Sequence, residues 1–133
     1  MDPKKVLLVD DEPAILELLK EFFTTKGFEV QTAGCDSEAL AIASEGNLDL
    51  VISDIDLTVT DGLDLLKELK TEHPDLPVIM LTGMGYDEAL IGDAQENGAS
   101  GFVSKHLPVS QLYMEVRRIL KRVEAAKQRS DSE

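Results

Sequence analysis

The sequence predicts a single α/β domain with a doubly wound, five-stranded parallel sheet and five helices. Short apolar runs alternate with segments of helical periodicity along the chain, which is the order expected of parallel strands joined by crossover helices. The runs are nearly continuously apolar, as in strands that are buried on both faces. A length of 133 residues with 43% hydrophobic content fits one core of this kind.

The apolar runs place the five expected strands at residues 6–9, 28–30, 50–52, 78–81 and 102–103. The first expected helix lies between the first two runs, where Pro13 suits a first turn and Gly27 a C-terminal stop. The second helix covers residues 36–45, with Asp36 and Ser37 as candidate caps, and the third covers residues 63–72 before Pro74.

The last two helices differ in the strength of their patterns. The fourth, at about residues 87–97, has only a short apolar stripe that Gly92 interrupts. The fifth presents one apolar face from Val109 to Val123 and then becomes polar. We therefore assign residues 1–127 to the folded domain and residues 128–133 to a polar C-terminal tail.

Composition restricts the classes of partner. The formal net charge is −13, so direct binding to a nucleic-acid backbone is not expected. The longest apolar runs are far shorter than the ~20 residues of a membrane-spanning helix, and no signal-peptide pattern opens the chain, so we expect a cytoplasmic protein. The single cysteine, Cys35, excludes an internal disulfide, and the two histidines are not spaced with it as a zinc set.

Polar residues follow four of the expected strands. In parallel sheets the carboxyl ends of the strands meet at one edge, where ligands bind. Clustered carboxylates repel one another unless a hard cation such as Mg²⁺ relieves them, and a carboxylate can attack phosphorus if the transferring charge is neutralised. Each residue alone could be a cap or a surface charge, but their coincidence favours a phosphoryl site. The polar residues at these strand ends are Asp10, Asp11, Glu12, Asp54, Asp56, Thr82 and Lys105.

Four stretches together resemble the response-regulator receiver domain of two-component signalling, over residues 4 to about 125. They are Val-Leu-Leu-Val-Asp-Asp-Glu at residues 6–12, Asp54 followed by Asp61-Gly62, Leu-Thr-Gly at residues 81–83, and Gly-Ala-Ser-Gly-Phe-Val-Ser-Lys at residues 98–105. The resemblance implies a flavodoxin-like, chemotaxis-regulator-like fold with strand order 2-1-3-4-5. That order does not follow from the spacing alone.

The resemblance also implies a role for each matching residue. Asp54 is the expected phosphoacceptor, and Lys105 and Thr82 are expected to hold the phosphoryl oxygens. A Mg²⁺ or Mn²⁺ ion is expected, with Asp11 and Asp54 as direct ligands. Asp10 is expected to act through water and Asp56 through its backbone carbonyl. Thr82 and Phe102 occupy the positions of the family's conformational switch.

Further expectations concern partners. The resemblance implies a phosphoryl donor, either a sensor histidine kinase or a histidine phosphotransfer protein. It also implies output to a protein target through the fourth helix, fifth strand and fifth helix, and a phosphorylation-dependent homodimer is a further candidate. Enzyme activity beyond self-catalysed phosphotransfer and slow autodephosphorylation is not expected, and neither a membrane nor nucleic acid is an expected partner.

The sequence departs from the family pattern near the lysine and after the phosphoacceptor. His106 and Leu107 intervene between Lys105 and Pro108, where the family usually has proline directly after the lysine. The path of Lys105 is therefore the least constrained part of the prediction. The loop after Asp54 also lacks the family's usual proline and methionine.

Two alternative functions stay open on the sequence. Residues 51–58 also resemble the Asp-x-Asp-x-Thr motif of haloacid-dehalogenase phosphatases, with Asp54 as nucleophile and Asp56 as acid and base. That family needs an acidic pair after the motif, whereas here the pair precedes it. The other alternative is a receiver-shaped adaptor that is never phosphorylated, against which the intact Asp11, Asp54, Thr82 and Lys105 argue.

Overall fold

The computed structural model describes residues 3–55, 62–83, 88–105 and 108–131. Within them, five strands alternate with five helices, as predicted. In chain order they are β1 (Lys5–Val9), α1 (Pro13–Thr25), β2 (Glu29–Ala33), α2 (Asp36–Ser44), β3 (Leu50–Asp54), α3 (Gly62–Glu72), β4 (Val78–Thr82), α4 (Glu88–Glu96), β5 (Gly101–Ser104) and α5 (Val109–Asp131).

The strands form one parallel sheet in the order β2-β1-β3-β4-β5, which confirms the predicted flavodoxin-like topology. Neighbouring strands end nearly level. Val9 pairs with Ser53, Asp54 with Leu81, and Thr82 with Ser104. The residues that leave these strands therefore emerge along one edge of the sheet.

Apolar side chains cover both faces of the sheet. One cluster joins inward residues of β1, β3 and β4 to α2, α3 and α4, with Leu66 and Leu69 fully buried. The other joins the opposite face to α1 and α5, with Phe23 and Val116 fully buried. The predicted apolar face of α5 is confirmed, since it packs on this second cluster. The sheet is thus held rigidly between two cores, which fixes the position of its carboxyl edge.

The position of β2 corrects the sequence prediction. Residues 28–30 were expected, but the strand runs from Glu29 to Ala33, and Phe28 lies before it with its N–H donating to the Phe23 carbonyl. β2 is an edge strand, and only Ala33 in it is fully buried. An edge strand tolerates polar residues such as Gln31 and Thr32, so an apolar run is a poor guide to its length.

Helix boundaries agree with the prediction at α1 and differ at α2 and α5. α1 begins at Pro13 and is followed by Gly27 in the left-handed region, with φ of 92°. In α2 the N-cap position belongs to Cys35, so the prediction that Asp36 and Ser37 cap the helix is wrong. The extended backbone of Cys35 places both residues in the first turn, where Asp36 still favours the helix dipole.

α4 lies within the predicted range, with Gly92 in its interior. α5 continues to Asp131, so the segment expected as a polar tail from residue 128 begins as helix. No helix in the described ranges is long and apolar enough to span a bilayer.

Candidate functional site

Two buried carboxylates lie at the centre of the sheet's carboxyl edge. Asp10 follows β1 and is 1% exposed, and Asp54 ends β3 and is 3% exposed. Backbone hydrogen bonds set both positions. The Asp10 N–H donates to the Ala33 carbonyl of β2, and the Ile55 N–H donates to the Leu81 carbonyl of β4. Burial of two adjacent anions is costly unless positive charge compensates them.

The amine of Lys105 supplies that charge. Its Nζ donates to Oδ2 of Asp54 at 2.7 Å and forms an ion pair with Oδ2 of Asp10 at 2.8 Å. It also lies 3.4 Å from Oε1 of the exposed Glu12. The lysine side chain is only 10% exposed. The sequence interpretation requires the side chains of residues 105 and 54 to lie close together, and in the structure they are in contact.

Lys105 reaches the site even though proline does not follow it. Its N–H donates to the Thr82 carbonyl at 2.8 Å, which extends the β4–β5 ladder by one residue past Ser104. The ladder therefore sets the direction of the side chain before the chain turns at residue 105. His106 lies outside the described residues.

The electrostatics of the site keep the Lys105 amine charged. Burial lowers the pKa of this group, but its pairing with Asp10 and Asp54 outweighs burial, so its pKa is raised well above the ordinary lysine value of 10.5. A protonated lysine is thus a permanent part of the site at neutral pH.

The acidic run after β1 fits a hard divalent cation. Carboxylate oxygens of Asp10, Asp11 and Glu12 lie within 4.8 Å of one another. Oδ1 of Asp10 accepts the Glu12 N–H at 2.9 Å, whereas the buried Oδ2 faces the Lys105 amine at 2.8 Å. Such an all-oxygen set suits Mg²⁺ or Mn²⁺.

The other predicted site residues are placed as follows. Thr82 is the half-buried last residue of β4, next to the lysine-bearing end of β5. Phe102 is half-buried in β5, opposite Met80, and packs against the α2–α3–α4 side of the core. Asp56 lies outside the described residues, as does Asp61.

A glycine allows α3 to start directly against the phosphoacceptor candidate. A Cβ at Gly62 would lie 2.5 Å from the Asp54 carbonyl oxygen and 2.6 Å from that of Ile55. The Gly62 N–H donates to the Ile55 carbonyl. The close approach explains why the motif places glycine here, since any side chain would push the helix away from the end of β3.

The sequence places Glu12 at this edge of the sheet but assigns it no role, although its carboxylate lies beside the Lys105 amine. Its position gave a usable signal, because a residue that directly follows two acidic residues at a strand end shares their edge of the sheet.

Known proteins include clear relatives of this chain. The family model described as the response regulator receiver domain matches residues 6–117. The transcriptional regulatory protein CpxR of Klebsiella pneumoniae is 35% identical over 130 residues, covering 97% of this chain and 54% of that protein. The transcriptional regulatory protein GlrR of Escherichia coli is 35% identical over 114 residues, covering 86% of this chain and 26% of that protein.

Solved structures give the same result. The structure of NtrX from Brucella abortus superposes with a TM-score of 0.92 at 33% identity, covering 98% of this chain and 30% of that one. A CheY-like receiver domain protein from Methanospirillum hungatei gives a TM-score of 0.88 at 28% identity, covering 93% of this chain and 98% of that one. The chain spans about half the length, or less, of the first curated relatives that it matches. It belongs to the response regulator receiver domain family, whose members are regulatory domains of two-component systems.

Proposed function

We propose that this protein is a phosphorylation-activated switch that accepts a phosphoryl group on Asp54. The donor is a phosphohistidine on a sensor kinase or on a phosphotransfer protein. The observation that carries the proposal is the Lys105 amine, 2.7 Å from Oδ2 of Asp54 in a site that also contains Asp10. A buried carboxylate beside a fixed ammonium group is the pairing that phosphoryl transfer to an aspartate requires.

The chemistry follows from that pairing. An oxygen of Asp54 attacks phosphorus, the bond from phosphorus to the donor imidazole nitrogen breaks, and the imidazole leaves with the bonding electrons and takes up a proton. The product is an acyl phosphate. Lys105 is already charged and in place, so it can move onto the phosphoryl oxygens with little reorganisation. The Thr82 hydroxyl is the second proposed donor to those oxygens.

A divalent cation is part of this proposal. Asp10, Asp11 and Asp54 would hold Mg²⁺ or Mn²⁺, together with the backbone carbonyl of Asp56 that the family resemblance implies. When bound, the ion neutralises charge on the transferring phosphoryl group. The acidic cluster at residues 10–12 supports it, because its repulsion is relieved by such an ion.

We further propose that the signal leaves through α4, β5 and α5. Thr82 and Phe102 lie on the adjacent strands β4 and β5, which supports a coupled movement of the two side chains on phosphorylation. The output would be contact with a protein target or with a second copy of the chain. The curated relatives are named as transcriptional regulators, but direct nucleic-acid binding by this acidic domain is not part of the proposal. A cytoplasmic location stays a prediction.

The direct test is phosphoryl labelling of Asp54→Asn. The unaltered protein should take up label from acetyl phosphate or from a phosphorylated kinase when Mg²⁺ is present, and Asp54→Asn should not. Asp64→Asn is the matched control, since this residue is exposed on α3 and its replacement makes the same chemical change. Labelling of Asp54→Asn at the unaltered rate would refute the assignment.

Two further measurements separate the alternatives. A haloacid-dehalogenase phosphatase would turn over a simple phosphate monoester, which a receiver would ignore. An adaptor that is never phosphorylated would fail to bind beryllofluoride, a phosphoryl mimic, in the presence of Mg²⁺. The proposed switch should bind it and gain protection from hydrogen exchange between residues 83 and 105.

A further inference from the structure

The Lys105 amine has a third acidic partner that differs from the other two. Asp10 and Asp54 are buried and lie within 2.8 Å of Nζ, whereas the Glu12 side chain is 62% exposed and its Oε1 lies at 3.4 Å. Glu12 is therefore the weakest of the three partners, because a longer and more hydrated ion pair stabilises less.

The backbone of Glu12 is nevertheless fixed. Its N–H donates to Oδ1 of Asp10, and its carbonyl accepts the N–H groups of Ile15 and Leu16 in the first turn of α1. Glu12 occupies the N-cap position of that helix, but within the described residues its side chain makes no cap hydrogen bond. The carboxylate is thus directed at Lys105 by an anchored backbone and has no capping role that would hold it elsewhere.

We propose that Glu12 is a positioning residue that competes with the phosphoryl group for Lys105. The inference rests on the proposed function, since it concerns the same amine. An ammonium group has three N–H donors, which three carboxylates share here. A phosphoryl group on Asp54 needs one of those donors, and Glu12 gives up its contact at the lowest cost. Its negative charge also repels the incoming phosphoryl oxygens.

The competition sets the size of the expected effect. An exposed ion pair contributes about 0.2–1 kcal/mol, which converts to roughly a 1.5- to 5-fold change in an equilibrium constant. Removing the Glu12 carboxylate should therefore tighten binding of a phosphoryl mimic by that factor. The effect should shrink in salt, because an exposed charge is screened.

The experiment measures beryllofluoride affinity by calorimetry at saturating Mg²⁺ in four proteins. They are the unaltered chain, Glu12→Gln, Glu12→Asp and Glu17→Gln. Glu12→Asp keeps the charge but shortens the side chain by one methylene, roughly 1.5 Å. Glu17→Gln makes the same charge change on an exposed position of α1. Each affinity is measured at about 0.1 M and about 1 M salt, where the screening lengths differ about threefold.

The competition predicts that Glu12→Gln binds beryllofluoride roughly 1.5- to 5-fold more tightly at low salt, and that the gain falls at high salt. Glu12→Asp should also bind more tightly than the unaltered chain, because the contact with Lys105 is lost although the negative charge remains. Glu17→Gln should match the unaltered chain. Equal affinities of Glu12→Gln and the unaltered chain would overturn the inference.

Two other outcomes would also overturn it. If Glu12→Gln bound both Mg²⁺ and beryllofluoride more weakly, the carboxylate would serve as a metal ligand and not as a competitor. If the unaltered chain bound no beryllofluoride at all, the proposed function itself would fail, and the inference with it. The first result leaves the proposed function intact, so the two failures are distinguishable.

Discussion

Replacement of Lys105 by methionine should destabilise the protein strongly when no divalent cation is present. The change removes the amine from Asp10 and Asp54, whose side chains are only 2% and 4% exposed. Removing one partner of a buried ion pair costs about 3–5 kcal/mol. Because the site opens towards the exposed Glu12, we expect a value around the lower end of this range, about 3 kcal/mol in the free energy of unfolding.

Urea unfolding in the presence of a chelator measures this cost. Lys121→Met is the matched control, since Lys121 is exposed on α5 and its replacement should change stability by less than about 0.5 kcal/mol. Added Mg²⁺ should stabilise Lys105→Met more than the unaltered protein, because the unpaired carboxylates then have a cation to bind. When Mg²⁺ is present at 100 times its dissociation constant for Lys105→Met, the free energy of unfolding of this variant should rise by about 2.7 kcal/mol.

The pH dependence of the difference follows from the pKa of the amine. The folded-state pKa of Lys105 lies above the ordinary value of 10.5, so the stability that the lysine contributes is fully present below that pH. It is lost only as the pH rises through the folded-state value. The difference between the two proteins should therefore be constant from about pH 7 to pH 9. A Lys105→Met protein as stable as the unaltered one in chelator would refute the account of the site.

Two further predictions concern the packing of the helices and the sheet that support the site. Gly62→Ala should destabilise by about 1–3 kcal/mol, because its Cβ would lie 2.5 Å from the Asp54 carbonyl oxygen. Gly92→Ala in α4 meets nothing within 4 Å and should stabilise by up to about 1 kcal/mol, so equal effects in urea unfolding would contradict the steric argument. Phe23→Ala should cost about 3–5 kcal/mol because this ring is fully buried between α1 and the sheet. Phe22→Ala, at the partly buried edge of the same cluster, should cost clearly less, and the reverse order in calorimetric melting would contradict the assigned packing.

The fold was predictable where burial dominates and less so at the sheet edge and at the helix ends. β1, β3 and β4 are buried in almost every residue, so their apolar runs gave their positions closely. β2 is exposed along one side and contains polar residues, so the apolar run does not extend over the last three residues of the strand. The N-cap of α2 was misplaced because Cys35 adopts the extended conformation there, and cysteine is not among the preferred capping residues.

The site was predictable to the extent that the sheet determines it. The topology puts Asp10, Asp54 and Lys105 at one edge, and a rule about strand ends is enough to predict that they converge. The rule says nothing about which carboxylates share the lysine, because that depends on side-chain reach. Glu12 reaches the amine from the N-cap of α1. The strand-end rule therefore places Glu12 at the edge without predicting its contact with Lys105.

The connection of Lys105 to the rest of the fold favours a local signal. Its side chain contacts Asp54 on β3, while its N–H is bonded to Thr82 on β4 and its chain continues from β5. A change in the partners of this amine therefore acts first on the β4–β5 pair, which carries both Thr82 and Phe102. β1 and β2 lie on the other side of β3 and are held by their own ladder. The amine also pairs with Asp10 after β1, so a change in its partners includes that ion pair, but only β4 and β5 are joined through the lysine backbone to the proposed output face.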